Sequence, residues 1–486
     1  MKRRKCLIFP FGRSILYFAV ATLFLSMFFE PDGTRASSLN PALPLKTHAA
    51  EISIKRNIAL LHGQLYYPNS VARFYKQSGY RLAWLAPDTV KMHAYDAMLL
   101  LDCILQYGLS HADYHPDKLL YDDLNAMTKQ FNLSGEDEKA HFDILLTDAM
   151  LRFINDLHYG KLNREHTVTI NDTFSSTPFQ AVEVLSRACR EKNFITVIES
   201  VQPKSAEYAA LKHWMYLVKG VYTGDCYETP ESTVRQVAIN MDRLRWAGDD
   251  ENSYIHINIP SYSLKFHQNE KDYNYRVQVG KKARPTPQLK SQITSIGVVS
   301  TPASLPVLQM LDQMPIALGN GAQLNMPSTE IFDFKGNSLD PTPANFRLAQ
   351  QNPSKYVIKR NFSYTPEQTR LYFHLYPFIS IGVSDALKNA NASRQRMTTE
   401  GDIKVEKAER LVYNILQQNG SGQELSLFRK TYNSRGNQNI RLKNPIPIRV
   451  TYLTCAIKDG VLETYKDIYG LDDALARAFY PVNAKK

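Results

Sequence analysis

Residues 231–259, ESTVRQVAINMDRLRWAGDDENSYIHINI, change their hydrophobic period in mid-stretch, and that change decides the fold. Up to Trp246, the apolar residues Val234, Val237, Ala238, Met241 and Leu244 recur at three- and four-residue spacings, one face of a helix. Beyond residue 250, Ile255, Ile257 and Ile259 alternate with His256 and Asn258, the two-residue period of a strand. A helix therefore hands over to a sheet near residue 250.

Upstream the pattern is helical. The apolar run MLLLDCIL at 98–105 stops at Gly108. Phe142, Leu145, Leu146, Ala149, Phe153 and Leu157 mark a second helix that ends at Gly160. Downstream, Tyr273, Tyr275, Val277 and Val279 alternate with Asn274, Arg276 and Gln278, which predicts a hairpin with 255–259 through a connection around 268–271. Further strands are expected at 295–300, 370–375 and 448–456, with a helix at 407–417 stopped by Asn419-Gly420. The expected fold class is α+β multidomain: an all-α domain over 51–225, a linker helix over 231–247, a mostly β domain over 252–472 and a C-terminal tail over 473–486.

Length and composition agree with a multidomain globular chain. The 486 residues exceed what one core serves, and 44% hydrophobic with 22% charged residues excludes a disordered or polytopic membrane protein. Lys2, Arg3, Arg4 and Lys5 precede an uncharged run over 14–29, shorter than the about 20 residues of a spanning helix. With Thr34-Arg35-Ala36 before Ser37, residues 1–36 read as a signal peptide or N-terminal anchor, 37–50 as a linker, and the rest as exported. Residues 1–36 hold +4 of the net charge of +11, and the +7 left on the exported part suits an anionic cell-wall polymer, yet no Lys/Arg run interleaved with aromatics supports nucleic-acid binding.

Cys6, Cys103, Cys189, Cys226 and Cys455 are too scattered for a disulfide scaffold or a zinc site, so no metal or other cofactor is expected. They are also the complete list of thiol nucleophiles. His111 and His115, four apart, lie between Gly108 and Pro116 and read as a solvated or capping turn, since metal binding needs a third ligand. Gly319-Asn320-Gly321 reads as a tight turn, and Lys281-Lys282-Ala283-Arg284 as a solvated one that could contact anionic polymer.

Several long stretches carry a resemblance. They are ARFYKQSGYRLAWL (72–85), YGLSHADYHPDKL (107–119), DILLTDAMLRFINDLHYGKLN (143–163), INMDRLRW (239–246), INIPSYSLKFHQNE (257–270), VQVGKKARPTPQLKSQI (277–293) and IPIRVTYLTCAIKDGVLETYKDIYGLDDAL (446–475). In this order the chain resembles the large periplasmic L,D-transpeptidases of the YcbB type, which join a helical scaffold domain to a YkuD-fold catalytic domain. The resemblance implies a cysteine thiolate that attacks the L,D-peptide bond of a peptidoglycan tetrapeptide stem. The resulting acyl-enzyme is resolved by an amine into a 3→3 cross-link, with a histidine moving the proton and donors holding the oxyanion.

The site residues depart from that pattern. LYFHLYP (371–377) matches the family's histidine segment, so His374 takes the base position, although HLYP replaces HDTP. The nucleophile segment aligns with TEGDIKVEKAERLVYNIL (399–416): Gly401 is kept, Asp402 takes the cysteine position and Lys404 the arginine position. Gly401 and Lys404 are the expected substrate-binding residues. Ser393 is a rival nucleophile, 19 residues past His374, without the neighbouring Gly. Asp402 beside His374 is expected to form at most a structural ion pair. Residues 298–306, VVSTPASLP, replace an aromatic cluster of the family, PSKYVIKRNF (353–362) replaces its Gly-rich approach, and no room remains between 207 and 231 for an inserted wall-binding module.

The expectation is therefore a catalytically silent or impaired homologue in the periplasm. Its expected partners are peptidoglycan peptide stems and other cell-wall enzymes. It excludes nucleic acid and touches the membrane only through the N-terminal segment. The alternatives are an active transpeptidase or carboxypeptidase with an unexpected nucleophile, and a structural envelope protein.

Overall fold

The computed structural model describes residues 45–85, 91–131, 133–173, 179–218, 231–247, 252–283, 285–299, 403–419, 422–434 and 438–480. Between 329 and 398 it describes 329–333, 337–340, 356–360, 368–373, 380–383, 397–398 and the single positions 342, 344, 345 and 348. The N-terminal segment 1–36, Gly319-Asn320-Gly321 and most of 298–306 lie outside the described residues.

The helical region comprises α1 (Leu45–Leu61), α2 (Pro68–Gln77), α3 (Lys91–Asp102), α4 (Tyr121–Lys129), α5 (Glu136–Tyr159), α6 (Val168–Asp172), α7 (Ala181–Ala188), α8 (Phe194–Glu199), α9 (Ala206–Val218) and α10 (Glu231–Ala247). α1 begins inside the 37–50 stretch expected to be a linker, because LKTHAAEI after Pro44 holds good helix formers and no breaker. α5 is the central element and is buried nearly all round, from Lys139 to Leu157. Its apolar face is filled by Leu145, Leu146, Ala149 and Phe153, all fully buried. The polar residues left on its other faces must therefore find partners inside the protein.

They find them in the connections between helices. Asp143 accepts the N–H groups of Ala83, Trp84 and Leu85 at 2.8, 2.9 and 3.2 Å, and the Tyr75 hydroxyl at 2.6 Å. Asp148 accepts those of Tyr66 and Tyr67 at 3.0 and 2.8 Å. Asp172, at the end of α6, accepts the N–H groups of Asn69 and Ser70 at 3.1 and 2.7 Å, capping the first turn of α2.

α10 packs onto this body at two glycines. Gly108 (φ +66°) brings the backbone so close that an added Cβ would lie 3.0 Å from Ala238 Cα. At Gly160 (φ +88°) the same atom would lie 2.7 Å from the Trp246 indole nitrogen. Asp242 of α10 then accepts the N–H groups of Lys161 and Leu162 at 2.7 and 3.1 Å.

The second region is a sheet that curls back on itself. Its strands are β1 (Ser253–Asn258), β2 (Ser263–Gln268), β3 (Lys271–Gly280), β4 (Leu289–Val299), β8 (Gln368–Phe373), β9 (Ser380–Val383), β10 (Met397–Thr398), β11 (Ile403–Val405) and β12 (Gln438–Thr451). They run β10-β3-β11-β9-β8-β4-β12-β1-β2, and β2 pairs with β3 again, so β3 closes the curl. β5 (Thr329–Asp333), β6 (Ser338–Leu339) and β7 (Tyr356–Arg360) form a small separate sheet between β4 and β8. α11 (Ala408–Gln418) fills the main curl with Leu411, Val412, Ile415 and Leu416 against Ile255, Phe266 and Ile293. α12 (Gly422–Asn433) adds Phe428 to the same core. The layout is thus α+β, as the period switch predicts.

Three expectations need correction. The partner of 273–279 is not 255–259: β2 lies between them, and β1, β2 and β3 form a meander. The 268–271 connection is correctly placed; Asn269 and Glu270 both have positive φ, the two-residue turn that matches strand twist. The strand expected at 448–456 is split between β12 and the hairpin β13 (Cys455–Lys458) with β14 (Val461–Thr464).

The last correction concerns the expected tail, 473–486, because α13 (Asp472–Phe479) is a packed helix. Leu453, Cys455 and Phe479 belong to the helical core, not to the sheet core. Asn240 fixes this return by accepting the Thr454 N–H at 2.8 Å, and Arg243 bonds Asp472 at 2.6 Å.

Candidate functional site

The register says which strand ends share one edge of the sheet. Leu371 of β8 lies opposite Ile381 of β9, and Ile381 lies opposite Ile403 of β11. These residues form one row across three strands. Because β8 and β9 are antiparallel while β9 and β11 are parallel, the C-terminal end of β8 and the N-terminal ends of β9 and β11 share an edge. Strand spacing puts β8 and β11 about 10 Å apart across β9.

In the chain, His374 directly follows the last residue of β8, and Gly401-Asp402 directly precede β11. His374, Gly401, Asp402 and the rival Ser393 themselves lie outside the described residues. Lys404 is described: its backbone pairs with Gly382 and Gln278. Ile403 and Val405 on either side are buried in the sheet core, which leaves the Lys404 side chain half-exposed on the opposite face.

The thiols are now locatable. Cys455 is 1% exposed within the helical core, and burial pushes its pKa up to about 12. Burial likewise pushes Cys189, beside Asp143 in the helical region, up to about 12. Neither supplies a thiolate near neutral pH. Cys103 is in the helical region as well, at the end of α3, while Cys6 and Cys226 lie outside the described residues.

A polar cluster that the sequence reading missed joins α9 to the sheet. Glu207 meets Lys265 at 2.5 Å, Arg449 at 3.6 Å and the His256 Nδ1 at 3.8 Å. Burial works to raise the Glu207 pKa, but His256 and Lys265 outweigh it and hold the carboxyl far below its usual range. Burial drives His256 down to about 4, so the ring is neutral at pH 7, with its Nε2 2.8 Å from Thr451 Oγ1. His256 and Asn258 are both buried; His256 faces Glu207 of α9, and Asn258 bonds the Leu453 backbone. Glu207, some fifty residues upstream of His256, gave no local signal. The cluster acts as a clamp between α9 and the sheet.

His111 and His115 do form a turn, but only half of the expected reading holds. His111 is exposed and its Nε2 lies 3.0 Å from the Asp102 carbonyl at the end of α3. His115 is buried, with its Nε2 2.7 Å from Asp148. The sequence hides this because Asp148 comes from α5. Lys281, Lys282 and Ala283 form an exposed turn; Arg284 lies outside the described residues.

Against known proteins, a family model described as a scaffold domain matches residues 69–215. That domain is the helical scaffold of YcbB-type L,D-transpeptidases, and here it spans α2 to α9, with a mostly β region downstream. No curated protein matches the chain.

Proposed function

We propose that this protein is an exported L,D-transpeptidase homologue that holds peptidoglycan peptide stems without transferring them. The scaffold match over 69–215 and the downstream curled sheet support the general family. The shared edge of β8, β9 and β11 supports a YkuD-type site there, with His374 at the base position and Gly401, Asp402 and Lys404 on the facing strand end.

The observation that carries the silent reading is the thiol inventory. No cysteine lies between Cys226 and Cys455, and Cys455 is sealed in the helical core with its proton retained. Losing a covalent nucleophile costs on the order of 10⁶ in turnover in subtilisin. An ionised Asp402 attacking an acyl donor would form an anhydride that water destroys, and it would repel the carboxylates of the stem. Lys404 presents a point charge where a bidentate fork would grip a carboxylate, so it attracts a stem without fixing its angle. Stem binding survives under these conditions because groove shape and chemistry rest on different residues. The site is periplasmic in this reading, other cell-wall enzymes are its further partners, and the membrane is met only through residues 1–36.

Intact-mass measurement after incubation with a carbapenem, which acylates active family members, tests the proposal. The expected result is an unchanged mass together with saturable binding of a tetrapeptide stem. A drug adduct, lost on Ser393→Ala or His374→Ala, would overturn the silent reading.

A further inference from the structure

Beside the C-terminal end of α11 the sheet opens into an uncharged cleft. The ladder between β12 and β4 is interrupted between Arg441 and Ile446, and the extra residues of β12 bulge outward. Asn419, 8% exposed, holds the bulge as a strand partner would. Its Oδ1 accepts the Asn444 N–H at 3.0 Å and its Nδ2 donates to the Asn444 carbonyl at 2.7 Å. The bulge, the last turn of α11 and the adjoining ends of β1 and β2 enclose about 510 Å³.

The lining has one chemical character. Asn252, Gln268, Gln418 and Asn444 surround the space with carboxamides, and Pro445 and Pro447 supply an apolar wall. Among the described residues that line it, none is charged. Gln268 donates its Nε2 to the Gln418 carbonyl at 3.3 Å, while its Oε1 is buried with no hydrogen-bond partner among the described residues. A buried acceptor in that state is costly unless something supplies a donor. The carbonyl end of α11 adds partial negative charge to the same neighbourhood, which disfavours an anion.

We propose that this cleft binds a neutral, hydroxyl-rich saccharide. Hydroxyl groups both donate and accept, as carboxamides do, and a sugar hydroxyl gives Gln268 Oε1 the donor it lacks once that side chain turns out into the cleft. The proline wall suits the C–H face of a pyranose ring. A nucleotide or a carboxylate ligand would meet no cation in the lining, and a greasy ligand would leave the amides desolvated. The volume is in the range of small-ligand pockets, enough for one or two sugar rings. Ile446, Ile293 and Phe373 form one row across β12, β4 and β8, so the bulge lies two strand spacings, about 10 Å, from the end of β8. The saccharide assignment stands on the cleft's own chemistry; only its pairing with a stem at the β8 edge rests on the proposed function.

Calorimetric titration of the exported chain with N-acetylchitotetraose, a neutral glycan, is the test. Saturable binding is expected, weakened roughly tenfold by Gln268→Leu, the effect of one lost neutral hydrogen bond near the upper end of its range. Asn252→Ala, at the rim, is expected to weaken it about threefold. Thermal melting of each variant confirms that it folds. No saturable binding by the unmodified protein, or binding that both variants leave unaltered, would overturn the assignment. Failure of the carbapenem and stem experiments would leave this titration unchanged, so the two proposals fail separately.

Discussion

In the helical region the buried acids face the connections. Asp143, Asp148 and Asp242 each accept two or three backbone N–H groups of a segment between helices, and Asp172 accepts two at the first turn of α2. In the sheet region the apolar side chains fill the curl, and the buried polar ones point out of it: His256 and Arg449 meet Glu207 of α9, and Asn258 bonds the Leu453 backbone. Helix ends and short connections leave N–H groups without partners, so a helical body needs carboxylates inside it. A closed ladder satisfies its own backbone and needs none. Polar burial is therefore internal architecture in one region and a docking signal in the other.

The sharpest way to break this contrast is Asp143→Ala. It strands three backbone N–H groups in a fully buried site and leaves the Tyr75 hydroxyl with Thr147 alone. A loss of roughly 4 kcal/mol is expected in urea unfolding followed by circular dichroism. A loss below about 1 kcal/mol, the usual size for an unexceptional substitution, would mean that the connection holds itself without the carboxylate.

Phe479→Ala tests whether the C-terminal return belongs to the helical core. Phe479 is fully buried there, and its truncation should cost about 3 kcal/mol. Val461→Ala, at 65% exposure on the neighbouring hairpin, should stay within about 0.5 kcal/mol in the same melts.

Acid separates the regions by sign. Burial holds the His256 pKa at about 4, below its ordinary 6.5, so the unfolded chain takes up a proton before the folded one does. The stability His256 contributes is complete above pH 6.5 and is lost as the pH falls towards 4. Burial raises Asp143 and Asp156 from 3.8 to about 6, so these two disfavour the folded state increasingly as the pH rises through that window. His256→Gln should therefore gain on the unmodified protein by about 2 kcal/mol between pH 6.5 and 5. A difference that stays constant with pH would show that His256 is not held neutral.

Lys404→Ala should have the smallest effect. Its half-exposed side chain predicts a stability change within about 0.5 kcal/mol. Stem affinity in the proposed groove should fall about threefold, as for an exposed ion pair. An unchanged affinity would remove Lys404 from the site.

The two regions were also unequally legible in the sequence. α5 and its stop at Gly160 were readable because apolar periodicity and a positive-φ glycine are local signals. The switch to a sheet was readable for the same reason. β2 was missed although Leu264 and Phe266 carry the alternation, because the turn before it contains Tyr262 at positive φ without a glycine to mark it. The return of Leu453, Cys455 and Phe479 to the helical core, and the pairs Glu207–His256 and His115–Asp148, join residues far apart in the chain. No period encodes such contacts. Of the candidate site residues, Lys404 alone falls among those described, and a place on β11 is common to every residue of that short strand and so says nothing of its role.

That return sets a timetable for the protein's making. Segments α1 to α10 leave the ribosome while the surface awaiting Leu453 and Phe479 is still bare, and more than about 200 further residues must be polymerised before it is covered. At ordinary elongation rates the wait is roughly 10 to 50 seconds, far longer than collapse or helix formation takes. Throughout that interval the nascent chain presents an apolar seam to its surroundings, the kind of surface holding chaperones capture. A stop codon shortly before residue 453 would make that transient state permanent.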